Sequence, residues 1–235
     1  ISNICKEFNL WCMVDAAYGG PAASISSLNK KFSGMQKADS ILINPHKWLF
    51  VPFEVACVIV KEKNNLKKTF SMVPDYLQGG IDKAERDDLM NFGIQLSKDF
   101  KALKVWLTIK TFGYNKIKEK IKNDIEMAQY AFSIVKKDPY FEIIHEPELS
   151  ILCFKYKSQT KGLNDSIVNE KIIEMIEEDG RVFLSGTMIN NEHVLRINCV
   201  NHRRRKTDID FLFNVLKKIA KESENKLTSS GNNSI

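Results

Sequence analysis

Long hydrophobic runs are missing from this chain. No uninterrupted apolar stretch approaches the roughly 20 residues that a membrane-spanning helix needs, so no membrane partner is expected. Cysteine is sparse. The five, Cys5, Cys12, Cys57, Cys153 and Cys199, are odd in number and show no C-x-x-C spacing. That pattern argues against a disulfide framework and against a metal site, and for a reducing compartment such as the cytoplasm. Four of the five lie in or beside apolar strand patterns, where a free thiol acts as a small hydrophobe. The opening Ile1-Ser2-Asn3-Ile4-Cys5-Lys6-Glu7 is neither a signal nor a transit peptide. It lacks an initiating Met and enters mid-pattern on an amphipathic stretch, so the chain reads as a fragment without an N-terminal portion. No internal repeat is visible.

What is present is ordinary for a soluble globular protein. The 235 residues are 43% hydrophobic and 27% charged, with a net charge of +6, enough to bury a sizeable core in one or two domains. The positive charge clusters at Lys61, Lys63, Lys67 and Lys68 and at Arg203, Arg204, Arg205 and Lys206. No aromatic residues interleave with the arginine run, as a nucleic-acid surface would require. These runs read as solvated faces or anion sites, and no nucleic-acid partner is expected.

Residues 10–14, Ser40–Ile43 and Val55–Val60 are continuous apolar strands, the pattern of a sheet covered by helices on both faces. Residues 61–92 are polar and carry Pro74, Gly79-Gly80 and a charge run from Asp82 to Asp88. A stretch of that kind inside an enzyme is often a functional lid, and a mobile loop is expected over about 63–95. Phe100, Leu103 and Leu107 then share one helical face, with Gly113 ending the helix. Ile117, Ile121, Ile125, Ala128, Phe132 and Val135 form the stripe of a long helix. Strands follow at Phe141–His145 and Ile151–Tyr156, a helix at 165–179 ending at Gly180, and strands near Arg181–Leu184 and Val194–Val200. Thr207 is expected to cap a last helix, with Asp210 in the capping-box position. The division is a large-domain part over 1–114, a compact α+β unit over 115–221 and a disordered tail over 222–235.

The chemistry concentrates in two runs. Val14-Asp15-Ala16-Ala17-Tyr18-Gly19-Gly20 follows the first strand, and Ile43-Asn44-Pro45-His46-Lys47-Trp48 closes the second. One delivers a carboxylate at a strand end, the other a lysine. That pair can hold pyridoxal phosphate: the lysine forms a Schiff base with the aldehyde, and the carboxylate keeps the pyridine nitrogen protonated. Lys47 is the centre of the assignment, because burial beside Trp48, Leu49 and Phe50 would favour the neutral, nucleophilic amine. Asp15 at a strand end would be costly without a partner. Pro45 excludes helical geometry at Asn44. Asn44 and His46 can both donate to phosphate oxygens.

The chain resembles the group II pyridoxal-phosphate-dependent decarboxylases, the family of aromatic-L-amino-acid decarboxylase, from about Ile4 to about Ile219. The carriers are the two runs above with Leu10-Trp11-Cys12-Met13 before them, together with Ala38-Asp39-Ser40, Gly93-Ile94-Gln95-Leu96-Ser97, Ala102-Leu103-Lys104-Val105-Trp106 and the run from Leu195 to Arg203. The resemblance implies an α/β, fold-type-I architecture: the C-terminal part of the large domain plus an α+β small domain. It also implies pyridoxal 5'-phosphate, held by Asp15, Ala17, Asn44, His46 and Lys47, and decarboxylation of an L-amino acid, an aromatic one first, to the amine. Tyr76 matches the loop tyrosine that helps protonate the substrate carbon, a place commonly taken by phenylalanine in the related aldehyde synthases. Lys47, Tyr76 and Asp15 are therefore the expected catalytic residues. A homodimer is implied for the full enzyme.

Two departures stand out. Met13 occupies a place where the family often has His, and Ser97-Lys98-Asp99 replaces Ser-Arg or Ser-Arg-Arg, losing the planar guanidinium fork. The residues that stack on the cofactor and grip its phosphate come, in the family, from an N-terminal half that this chain does not contain. Alone it is expected to be inactive. The alternatives are an aldehyde synthase of the same family and a non-catalytic dimerising remnant.

Overall fold

A computed structural model describes residues 1–71 and 88–231. The chain divides into two compact units, Ile1–Lys118 and Glu119–Ile235. Among the described residues no helix is long and apolar enough to cross a membrane.

The first unit is built on a three-stranded sheet. After a short helix α1 (Ser2–Glu7) come β1 (Met13–Asp15) and β2 (Ser40–Ile43), which lie parallel, with Met13 opposite Ser40 and Asp15 opposite Leu42. β3 (Cys57–Val60) runs antiparallel on the other side of β2. Asp39 fixes the parallel register. Its carboxylate accepts the Cys12 N–H at 2.8 Å, while its own N–H donates to the Cys12 carbonyl at 2.8 Å. Trp11 adds a bond from Nε1 to Ser40 Oγ at 2.9 Å.

Strand β1 starts three residues later than the apolar run suggests. Leu10, Trp11 and Met13 are more than half exposed, as is Val58, and Ile59 is at 50%. Among the described residues, these apolar side chains of the sheet are left uncovered. The apolar run encodes side chains suited to burial; it does not encode the element that buries them. Helix α4 (Lys101–Phe112) repeats the lesson. It ends at Gly113, as its sequence indicates, but Phe100, Leu103 and Leu107 remain exposed. Inside the stretch expected to be a mobile loop, residues 63–70 form helix α3 (Lys63–Phe70), and Leu89–Phe92 form a 3-10 turn.

The second unit has a four-stranded antiparallel sheet in the order β4-β5-β7-β6: β4 (Phe141–His145), β5 (Ile151–Tyr156), β6 (Ser185–Ile189) and β7 (Glu192–Asn198). Its core joins Leu152, Phe154 and Leu195 of the sheet to residues of three helices, α5 (Tyr114–Lys137), α6 (Asp165–Asp179) and α7 (Lys206–Gly231). Helix α6 begins at Asn164, whose Oδ1 accepts the N–H groups of Ser166 and Ile167, and stops at Gly180, where φ is +70°. Both ends follow from short-range chemistry.

Three expectations change here. The strand placed near Arg181–Leu184 forms at Ser185–Ile189, because a two-residue turn at Asn190-Asn191 sets the hairpin; both have positive φ, which asparagine tolerates. The start of α7 is closed by Asp208, whose carboxylate accepts the Arg205 N–H at 2.8 Å, while Asp210 takes the Tyr130 hydroxyl at 2.7 Å. Finally, the helix continues through Gly231, so most of the expected tail is helical. Ser223 and Glu224 are buried, and Glu224 accepts from Ser158 Oγ, Gln159 N and Thr160 Oγ1 at 2.8, 2.6 and 3.0 Å. A polar composition concealed a helix whose inward carboxylate anchors a loop.

Asn169 is wholly buried and pairs with the strand end at Tyr156. Its Oδ1 accepts the Tyr156 N–H at 2.9 Å and its Nδ2 donates to the Tyr156 carbonyl at 2.8 Å. Asn169→Ala leaves both backbone groups without that partner. It should lower the unfolding free energy by about 2–4 kcal/mol in a urea titration; a loss under about 1 kcal/mol would mean water replaces the amide.

Candidate active site

Parallel strands present the loops beyond their carboxyl ends side by side, the place where open α/β sheets bind ligands. Here those loops carry the two chemical runs. Beyond β1, Asp15 turns its carboxylate back to accept the Ala17 N–H at 3.0 Å. Ala16 extends the ladder through its N–H to the Leu42 carbonyl at 3.0 Å. Gly20 comes so close that a Cβ there would lie 3.1 Å from Ala16 Cβ and 3.3 Å from Ile43 Cγ1. The glycine lets this loop lie down on β2.

Beyond β2, Asn44 is extended and Pro45 opens α2 (Pro45–Trp48), a single helical turn. Two contacts fasten the loops together. The Asn44 N–H donates to the Ala17 carbonyl at 3.0 Å. Trp48, fully buried, stacks on Tyr18 with centroids 4.7 Å apart and planes 8° from parallel. The motifs contain both aromatics, but the sequence pointed to Trp48 only as apolar surroundings for Lys47 and gave Tyr18 no role. Their signal was an aromatic residue three positions after Asp15 and another directly after Lys47.

Lys47 is exposed, not buried among Trp48, Leu49 and Phe50 as its sequence context suggested. Successive residues of a helical turn are about 100° apart, and this turn spends its inward directions on Pro45 and Trp48. The Lys47 ammonium makes no hydrogen bond or ion pair among the described residues. Asp15 is likewise exposed, so the carboxylate is not paying a burial cost. Ala17 is buried beneath the turn. A cleft of about 440 Å³ lies along β1, lined by Cys12, Val14, Asp15, Ala16 and Phe32 among others; Lys47 is not in its wall. Tyr76 lies outside the described residues.

His46 is held by backbone. Its Nδ1 receives the Val55 N–H at 2.9 Å and sits 2.6 Å from the Val55 carbonyl, while Phe53 meets the ring edge-on at 5.0 Å. Nε2 is left for a ligand. Asn44 Oδ1 is buried with no hydrogen-bond partner among the described residues, an acceptor that an N–H or O–H of a bound group could use. A directed imidazole, an uncommitted lysine and a carboxylate with one oxygen to spare are groups that a phosphorylated pyridine aldehyde can use.

Residues 1–157 match the family described as pyridoxal-dependent decarboxylase conserved domain. The chain belongs to that family. Aromatic-L-amino-acid decarboxylase of Bacillus atrophaeus is 31% identical over 94% of this chain and 47% of its own length. The crystal structure of Catharanthus roseus tryptophan decarboxylase in complex with L-tryptophan superposes with a TM-score of 0.83 at 28% identity, covering 94% of this chain and 47% of that one. Rhodiola rosea 4-hydroxyphenylacetaldehyde synthase does so with a TM-score of 0.82 at 27% identity, over 94% and 45%. The chain thus spans about half the length of the relatives it matches. The chain has the fold-type-I architecture of this family, in keeping with its large- and small-domain organisation. The cofactor of the family is pyridoxal phosphate.

Proposed function

We propose that the protein to which this chain belongs decarboxylates an L-amino acid, with aromatic amino acids as the first substrate class. The observation that carries the reading is the fastening of the Asp15 loop to the Lys47 turn at the ends of two adjacent parallel strands. When bound, pyridoxal phosphate supplies an aldehyde for an amine and a ring that accepts the electron pair released with carbon dioxide.

The chain's own residues divide the remaining work. Lys47 Nζ would be the amine to which the cofactor aldehyde attaches. Asp15 would hold the proton of the pyridine nitrogen. His46 would donate to the phosphate through Nε2 and Asn44 through its Nδ2 hydrogens. Ala17 leaves the ring room to approach. Tyr76, by the family resemblance, would give its proton to the substrate α-carbon. The acting protein is a cytoplasmic homodimer; the five unpaired cysteines of this chain fit a reducing compartment.

The test is product analysis on the complete polypeptide with tryptophan, tyrosine, phenylalanine, histidine and glutamate. Amine and carbon dioxide in equal amounts from the first three support the reading. No turnover of any of the five would favour a non-catalytic, dimerising role. Likeness to an aldehyde synthase keeps aldehyde formation as the second reading, and Tyr76 is what favours the amine. Tyr76→Phe should, in air, divert product toward aldehyde and ammonia, with dioxygen taking up the two electrons as hydrogen peroxide, detected with an aldehyde trap and a peroxide assay. Unchanged amine output would refute the role given to Tyr76.

A further inference from the structure

Helix α4 opens with charge of the unfavourable sign. Lys101 and Lys104 occupy its first and fourth positions, and the first turn holds no acid. Cations at a helix N-terminus oppose the backbone dipole, so local rules do not explain them. Their partner is a single residue near the lysine turn. Lys101 Nζ lies 2.6 Å from Glu54 Oε1, and Lys104 Nζ donates to the Glu54 carbonyl at 2.9 Å. One lysine holds the side chain and the other the main chain.

Glu54 lies between the two residues that hold His46. Phe53 packs edge-on to the imidazole, and Val55 presents both backbone groups to Nδ1. Pinning Glu54 at two points therefore fixes the segment 53–55, and with it which imidazole nitrogen is engaged and where Nε2 points. We infer that Glu54, clamped by Lys101 and Lys104, is a positioning residue that sets the His46 ring for phosphate. This rests on the cofactor reading given above. The three groups are exposed or half-exposed, so the effect works through geometry and is modest. Lys101 donates to the Glu54 carboxyl and holds it below the usual carboxylate range, and the same contact raises the Lys101 ammonium. The pair is therefore charged at neutral pH.

The role extends the site beyond its motif. Glu54 and Lys101 are 47 positions apart in sequence, and neither falls in the Asn44–Trp48 run. It also gives α4 a task that Ser97-Lys98-Asp99 does not reveal.

The experiment uses ¹⁵N-histidine labelling of this chain, with His46 assigned through His46→Asn, together with cofactor titration of the complete protein. In the parent, the His46 nitrogens should report mainly the tautomer with its proton on Nε2, the form in which Nδ1 accepts the Val55 N–H, before any cofactor is added. Glu54→Gln and Lys104→Met should both move His46 toward a tautomer mixture and weaken pyridoxal phosphate binding roughly threefold to fivefold, the scale of exposed ion pairs. The charge-swapped double variant, Glu54→Lys with Lys101→Glu, should restore both readouts, which separates positioning from a general loss of fold. An unchanged His46 spectrum in Glu54→Gln and Lys104→Met overturns the inference, whatever happens to affinity. A shifted His46 spectrum in a protein that never binds pyridoxal phosphate would uphold the clamp and sink the cofactor reading.

Discussion

Lys47→Ala should remove all pyridoxal phosphate that borohydride can fix to the protein, and should cut amine production on the order of 10³-fold or more. Both losses come from one atom, since Nζ is the only cation at the turn between β2 and β3 that has no protein partner among the described residues. The variant should still bind the cofactor reversibly, because Asp15, Asn44 and His46 are untouched. It should also fold as the parent does, since Lys47 is exposed and packs nothing. A Lys47→Ala protein that retains turnover within tenfold of the parent would show that the nucleophile lies elsewhere.

Trp48→Ala should be the most damaging substitution in the first unit. The indole is fully buried and stacks face to face on Tyr18. Deleting a buried aromatic side chain of this size costs about 3–5 kcal/mol, and the lost ring pair adds about 0.5–1.5 kcal/mol. Because the indole joins the lysine turn to the Asp15 loop, cofactor capture should fail together with stability. Trp48→Phe keeps an aromatic face for Tyr18 and should recover part of both. Chemical unfolding of the two variants, followed through the signal of the first unit, gives the measurement. A loss below about 1 kcal/mol for alanine would mean the two loops are held by their backbone bond alone.

The two chemical runs were legible because their logic is local. A carboxylate and a lysine after apolar strands, a proline that forces Asn44 to be extended and glycines that flatten a turn all act within a few residues. The span of α6 and its stop at Gly180 were legible for the same reason. What the sequence hid was relational. The polar stretch at 222–229 gave no sign that Glu224 turns inward to gather Ser158, Gln159 and Thr160. Nothing near Lys47 announced that its neighbour Trp48 would spend itself on Tyr18 and leave the lysine exposed. Glu54 was invisible because its two lysines lie in another helix. The apolar run of β1 was read as buried from hydrophobicity, and hydrophobicity does not state which element does the burying.

The central claim is that Lys47 is the residue to which pyridoxal phosphate attaches. The most direct test is borohydride reduction of the complete protein in the presence of pyridoxal phosphate, followed by peptide mapping by mass spectrometry. The account predicts one stoichiometric pyridoxyl group on the peptide containing Asn44-Pro45-His46-Lys47-Trp48. A label scattered over surface lysines such as Lys61, Lys63 and Lys67, or absent altogether, would contradict it.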